Sequence, residues 1–222
     1  MIPVVFCSWK RVQNVPLLVD LILNQKGVEE EIRVFIWNNN KNEQERLAHY
    51  TSQWNNGQVV IFNSEKNIGG FGRFYLARNL VGIADKVIFF DDDQIIRPDV
   101  ISTFLSCYKP RQIASWWGWF FKGGYWNRER VTDGSLIHYA GTGGMLCDIS
   151  IFEEDGLFEC PEKYWFAEDL WLSYYAQHCL GWDLIGISAG IRIEVDGLDQ
   201  YHGMKKLKPE FLEYLRGLGW KI

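Results

Sequence analysis

An apolar run, Val87-Ile88-Phe89-Phe90, leads directly into Asp91-Asp92-Asp93. Three adjacent carboxylates repel one another, and solvent or a cation must relieve that repulsion. Mg2+ and Mn2+ take oxygen ligands, usually one or two carboxylates together with substrate phosphates. In an extended chain, alternation sends Asp91 and Asp93 to one side and Asp92 to the other. Asp93 is then the candidate metal ligand, while Asp91 reaches a ribose or a metal-bound water; Asp91 and Asp92 also count among the nucleotide-binding candidates. The plainer reading is a solvated acidic loop ahead of a helix capped near Asp99.

Other groups suit the same chemistry. Lys66-Asn67-Ile68-Gly69-Gly70-Phe71-Gly72-Arg73 is a glycine-rich loop opening a helix, with two basic residues. Backbone N–H groups in such a loop approach a phosphate closely, which makes Asn67, Gly69, Gly70 and Arg73 candidates. A plain tight turn is the alternative. Ser8, Lys10 and Arg11 follow the first apolar run, and Asn38-Asn39-Asn40 follow the second. These groups are able to read a base and ribose, although Asn runs also make good turns.

The elements that must position these residues alternate. Pro3 to Cys7, Glu31 to Trp37, Val59 to Phe62 and Val87 to Phe90 read as strands, with helices expected over Val15 to Asn24, over Asn42 to Trp54 capped by Asn42, and over Phe71 to Ala84. That rhythm predicts an α/β fold with a mainly parallel central sheet flanked by helices. Ligands in such sheets sit beyond the carboxyl ends of the strands. Later the rhythm breaks: Gln112 to Phe121 and Leu136 to Cys147 suit a small antiparallel addition, followed by a helix over Glu168 to Cys179, strands at Leu184 to Ile187 and Ile191 to Val195, and a helix over Pro209 to Leu218.

Composition limits the classes available. The chain has 222 residues, 23 Lys and Arg against 28 Asp and Glu, and a net charge of −5. One domain over 1–222 is the simplest account, with 1–98 a nucleotide-binding half and 99–222 an acceptor-binding and catalytic half. An acidic balance without basic runs argues against a nucleic-acid polymer as partner. No window approaches a membrane span, and the apolar start is too short for a signal peptide. Cys7, Cys107, Cys147, Cys160 and Cys179 show no C-x-x-C pair, so reduced thiols and a soluble, cytoplasmic protein are expected.

The order of these motifs, with Glu168-Asp169 before a late helix, resembles the GT-A nucleotide-sugar glycosyltransferases of the family 2 type. The stretch Asn67-Ile68-Gly69-Gly70-Phe71-Gly72-Arg73 is particularly similar to the rhamnosyl- and galactofuranosyltransferase branch. The compact size also resembles glycosyltransferases of large algal viruses, which would place such a protein in host cytoplasm. The resemblance covers roughly residues 2 to 205, and it rests on motif order more than on any one motif. It implies a GT-A fold and transfer of a hexosyl or deoxyhexosyl group from a nucleotide-diphosphate sugar, a UDP-sugar in first place, to a hydroxyl of a glycan or other acceptor.

The resemblance also assigns roles. Asp91 and Asp93 match the Asp-x-Asp pair that handles the ribose and the Mn2+ or Mg2+ bridging the donor pyrophosphate. Asn38 stands where the family commonly has Asp, and its amide oxygen can accept from a uracil N3–H. Glu168 and Asp169 match the family's acidic pair, with Asp169 the general base and an inverting outcome; an acidic first helical turn is the alternative. Tyr201-His202-Gly203-Met204-Lys205-Lys206-Leu207-Lys208-Pro209, a His followed by Gly and several Lys, is similar to a C-terminal segment in which His202 adds a metal ligand and Lys205 clamps the pyrophosphate, a segment also similar to one in retaining families. Gly141-Thr142-Gly143-Gly144 falls where the family has a turn under the donor sugar, or is simply a β-turn.

Aromatic residues make up 16% of the chain, including 11 Trp, so many must be core. Trp117, Trp119 and Trp165 are the candidate wall for the acceptor sugar. Two other classes stay open. A haloacid-dehalogenase-like phosphatase also uses Asp-x-Asp after a strand, as Asp91 and Asp93 stand here, and a non-catalytic sugar-binding module would suit the tryptophans.

Overall fold

Alternation along the early strands decides the architecture. In β1 (Ile2–Ser8) and β2 (Ile32–Asn38), Val4, Phe6, Val34 and Ile36 enter one core, while Val5 and Phe35 enter another. Strands buried on both faces need helices on both sides. The structure, a computed structural model, describes residues 1–54, 56–194, 198 and 201–222, without the side chains of Tyr201 and His202. β1 pairs in parallel with β2 and with β4 (Lys86–Phe89), and β2 with β3 (Val59–Asn63). α1 (Val15–Leu23) and α2 (Gln44–Thr51) cover the first core through Val15, Leu18, Ile22 and Leu47; α3 (Gly72–Arg78) covers the second through Phe74 and Ala77.

The later chain extends the same sheet. β5 (Gln94–Ile96) and β11 (Ile191–Ile193) form a separate antiparallel ribbon. β6 (Gln112–Phe121), β7 (Arg128–Arg130), β8 (Asp133–Leu136), β9 (Tyr139–Asp148) and β10 (Asp183–Ile187) join the main sheet, whose order is β3-β2-β1-β4-β9-β6-β10-β8 with β7 on β6. β9 runs antiparallel to both β4 and β6. α4 (Val100–Ser106) packs on the first core, and α5 (Glu168–Tyr174) and α6 (Leu207–Gly217) on the second. The expected fold class, a mainly parallel sheet with helices on both faces and an antiparallel addition, is the one observed. Among the described residues no helix is long and apolar enough to cross a membrane.

Several boundaries differ from the sequence reading. The helix expected to Ala84 stops at Arg78, and Gly82 beyond it takes φ +75°. The cap before α2 comes from Asn40, whose side chain accepts from the Asn42 amide. The helix that opens at Glu168 widens into a π turn over Tyr175–Cys179.

Gly141-Thr142-Gly143-Gly144 is a bulge rather than a hairpin turn. Between the pairs Ser115↔Met145 and Trp117↔Gly141, Thr142, Gly143 and Gly144 all stand opposite Trp116 alone, with Gly144 at φ +85°. Bulges bend a strand and re-aim its side chains, and this one sits where the sheet opens. The buried Ser115 hydroxyl pins it, donating to the Gly141 carbonyl at 2.9 Å and accepting from the Trp117 amide at 3.0 Å. Ser115→Ala removes both of these buried hydrogen bonds, so urea unfolding is expected to show a loss of about 1–3 kcal/mol.

Candidate functional site

A cleft of about 500 Å³ opens beyond the carboxyl ends of β1 and β4 and reaches the β9 bulge and the start of α5. Thirteen of the expected site residues line it: Ser8, Lys10, Arg11, Asn67, Gly69, Gly70, Arg73, Asp91, Asp92, Asp93, Trp117, Glu168 and Asp169. They arrive by routes that partly differ from the expected ones.

The Asp triplet lies in a turn between β4 and β5, so strand alternation does not apply and all three residues line the cleft. Arginines, rather than solvent alone, offset their repulsion. Arg11 Nη1 stands 3.5 Å from Asp92 Oδ1 and 3.6 Å from Asp93 Oδ2, and Arg73 Nη2 stands 2.9 Å from Asp91 Oδ1. Burial still pushes the Asp92 carboxyl up to about 6 and, reinforced by the charge of Asp91, the Asp93 carboxyl up to about 7. The glycine at 143 makes this crowding possible, since a Cβ there would lie 2.3 Å from Asp91 Oδ2.

The leading amides of the glycine-rich loop are engaged within the protein. Asn39 clasps it, accepting from the Ile68 amide at 3.0 Å and donating to the Gly69 carbonyl at 2.9 Å, while Asn67 accepts from the Gly69 amide. The loop instead lets side chains approach its backbone. A Cβ on Gly70 would lie 1.9 Å from Glu168 Oε1. Just beyond, the buried Arg73 joins two acidic groups, with Asp91 on Nη2 and Glu168 Oε1 3.6 Å from Nε. Burial opposes its charge, but Asp91 and Glu168 beside it favour the protonated form.

Opposite the triplet, α5 presents Glu168 and Asp169. Glu168 Oε1 accepts from the Thr142 hydroxyl at 3.1 Å, and burial pushes its carboxyl up to about 7 against the pull of Arg73. Asp169 Oδ2 meets Lys208 Nζ at 2.8 Å and accepts from the Tyr139 hydroxyl. Tyr139 belongs to no motif, and Lys208 closes the lysine-rich segment that follows His202 without a role of its own there. In the structure Lys208 falls on the apolar stripe Lys208, Phe211, Leu212, Leu215 of α6, where a charge is out of place.

The remaining expected residues stand elsewhere. Asn38 is fully buried outside the cleft lining; its oxygen accepts from the Asn40 amide and its nitrogen donates to Asn63. Trp119 packs against the second core under Arg128, and the cleft takes Trp116 in its place. Trp165 stacks on Phe71 and donates to the Cys160 carbonyl, while its neighbour Phe166 lines the cleft. Lys205 is exposed outside the cleft, and Lys208 three residues later lines it. The His202 side chain lies outside the described residues.

No protein-family model and no curated protein matches this chain. Solved structures do. S. aureus TarS 1–349 in complex with UDP-GlcNAc superposes with a TM-score of 0.66 at 14% identity over 98% of this chain. The mannosyltransferase PcManGT from Pyrobaculum calidifontis, in complex with GDP-Man and Mn2+, gives 0.65 at 12% over 97%. GalNAc-T7 with UDP, GalNAc and Mn2+ gives 0.63 at 14% over 84%. The chain has the GT-A fold. It spans 64%, 64% and 42% of the lengths of those three chains, so it matches one GT-A part of longer proteins.

Among the described residues no three His, Cys, Asp or Glu side chains form a metal-binding group. The donor set in this GT-A cleft nevertheless fits a hard cation that completes its shell with phosphate and water, because Asp91 and Asp93 are crowded carboxylates whose repulsion a cation would relieve.

Glu168 yields a pH test. A folded carboxyl raised to about 7 from the ordinary 4.5 contributes stability that is full below 4.5 and lost as pH rises through 7. Thermal melts from pH 4.5 to 7 should show wild type losing ground steadily to Glu168→Gln; a constant difference between the two would refute the assignment.

Proposed function

We propose that this chain is a metal-dependent glycosyltransferase that moves a sugar, of hexosyl or deoxyhexosyl type, from a nucleotide-diphosphate sugar to a hydroxyl of a glycan or other acceptor. A UDP-sugar is the favoured donor. One observation carries the reading: the Asp91–Asp93 carboxylates and the Glu168–Asp169 pair face one cleft, with Arg73 between them. Its support is the GT-A fold, whose solved examples above include complexes with UDP, UDP-GlcNAc, GDP-Man and Mn2+. The phosphatase alternative has no comparable support in the fold.

Asp91 and Asp93 would hold Mn2+ or Mg2+, which when bound supplies positive charge for the departing diphosphate. Lys10 and Arg11, beyond β1, add positive charge on the same side. Trp116 and Trp117 offer flat faces to the acceptor sugar. Asp169 takes the proton of the acceptor hydroxyl as the new bond to the anomeric carbon forms and the bond to the phosphate oxygen breaks. One in-line displacement of this kind inverts the anomeric centre. On this reading residues 1–98 bind the nucleotide and 99–222 carry the acceptor and the base, within one domain.

The test is nucleotide release from UDP-, GDP-, dTDP- and CMP-sugars with Mn2+. Asp93→Ala should abolish metal-stimulated turnover, and Asp169→Asn should keep donor binding while losing about 10²–10⁴-fold in rate. Hydrolysis of simple phosphomonoesters without nucleotide-sugar turnover would overturn the reading, and full activity in Asp169→Asn would remove the base.

A further inference from the structure

We propose that Lys208 and Tyr139 are positioning residues that decide which oxygen of Asp169 receives the acceptor's proton. The inference rests on the glycosyl-transfer reading above and deepens it. Three buried side chains from three elements meet: Tyr139 opens β9, Asp169 stands in the first turn of α5, and Lys208 in the first turn of α6. Lys208 Nζ lies 2.8 Å from Asp169 Oδ2 and 3.1 Å from the Tyr139 hydroxyl oxygen, and that hydroxyl donates to the same Oδ2.

The ring of contacts closes in one sense. An ammonium has only protons to give. Burial, with Asp169 beside it, holds the Tyr139 hydroxyl well above its ordinary range, so it too is a donor. Oδ2 therefore takes both donors, while Oδ1 meets only the Leu170 amide, at 2.9 Å, among the described residues. A carboxylate oxygen has two acceptor sites, so Oδ1 retains one for a hydroxyl in the cleft.

Packing alone does not account for Lys208. It stands on the apolar face of α6 with Phe211, Leu212 and Leu215, where a methionine would fill the space without the cost of burying an ion pair. The other nearby cation that reaches the acidic pair, Arg73, serves Glu168 and Asp91 instead. Lys208 also lines the cleft, so its contact with Asp169 borders the space in which an acceptor would sit.

The test is steady-state turnover with Mn2+ of whichever of UDP-glucose, UDP-galactose or UDP-GlcNAc wild type uses best, with UDP affinity measured by calorimetry. Lys208→Met is expected to lower kcat by about 100-fold while donor KM and UDP affinity stay within about threefold, because only the step that uses the base is affected. Lys208→Arg should recover about tenfold of that loss, since a cation returns to Oδ2. Tyr139→Phe, which keeps the ring and removes one donor, should lower kcat by about tenfold. Wild-type kcat in Lys208→Met or Tyr139→Phe would overturn the proposal, as would a loss that falls equally on UDP affinity. If Lys208→Met does not fold, Tyr139→Phe and Lys208→Arg decide by the same criteria. If wild type turns over no nucleotide sugar of the wider panel, the glycosyl-transfer reading fails and this one falls with it; turnover with unaltered variants removes this one alone.

Discussion

A buried guanidinium holds the cleft together. Arg73 is nearly inaccessible to solvent, and a charge in that position is tolerable only with partners that return what desolvation removes. Its partners are Asp91, at the end of β4, and Glu168, at the start of α5. These residues belong to distant stretches of chain, yet the one side chain ties them into a single acidic wall. Truncating Arg73 would leave two carboxylates facing each other across a low-dielectric gap, so the cleft's shape and its charge state depend on the same contact.

The glycine-rich loop takes its meaning from that contact. Its early amides are occupied by Asn39 and Asn67, so the loop's own hydrogen bonds are satisfied within the protein. What the missing side chains provide is space: Gly70 admits the Glu168 carboxylate, and Gly143 on the facing bulge admits Asp91. Two glycine-rich segments thus serve as recesses for the two acids that Arg73 neutralises in part. Burial raises the Asp92, Asp93 and Glu168 carboxyls against the pull of Arg11 and Arg73, and a further cation nearby would favour their charged forms.

A second buried ion pair, between Lys208 and Asp169, sits at the other end of the acidic wall. The two pairs divide the consecutive residues Glu168 and Asp169 between them. Successive positions on a helix point about 100° apart, so neighbours in sequence enter different environments. Glu168 turns toward Arg73 and the β4 end, and Asp169 turns toward β9 and α6. On the proposed glycosyl-transfer reading, that separation would let one carboxylate serve the donor side and the other the acceptor side.

Much of this was legible in the linear chain, because periodicity and residue type act locally. Continuous apolar runs such as Val4-Val5-Phe6, alternating with helical segments, indicated a mainly parallel sheet, and the rule that ligands gather beyond strand ends pointed to Asp91, Arg11 and Arg73. The last helix, expected from Pro209, begins at Leu207, and only that start places Lys208 on its apolar stripe. Only the tertiary structure decided the partnerships: that Asn38 is spent on Asn63 and Asn40, that Trp116 rather than Trp119 reaches the cleft, and that Lys208 rather than Lys205 meets the acid. Each depends on a register, a bulge or a helix rotation that brings distant segments within a few ångströms. Local propensity records which face a residue prefers; it does not record what stands opposite, and hydrogen bonding and ion pairing are decided there.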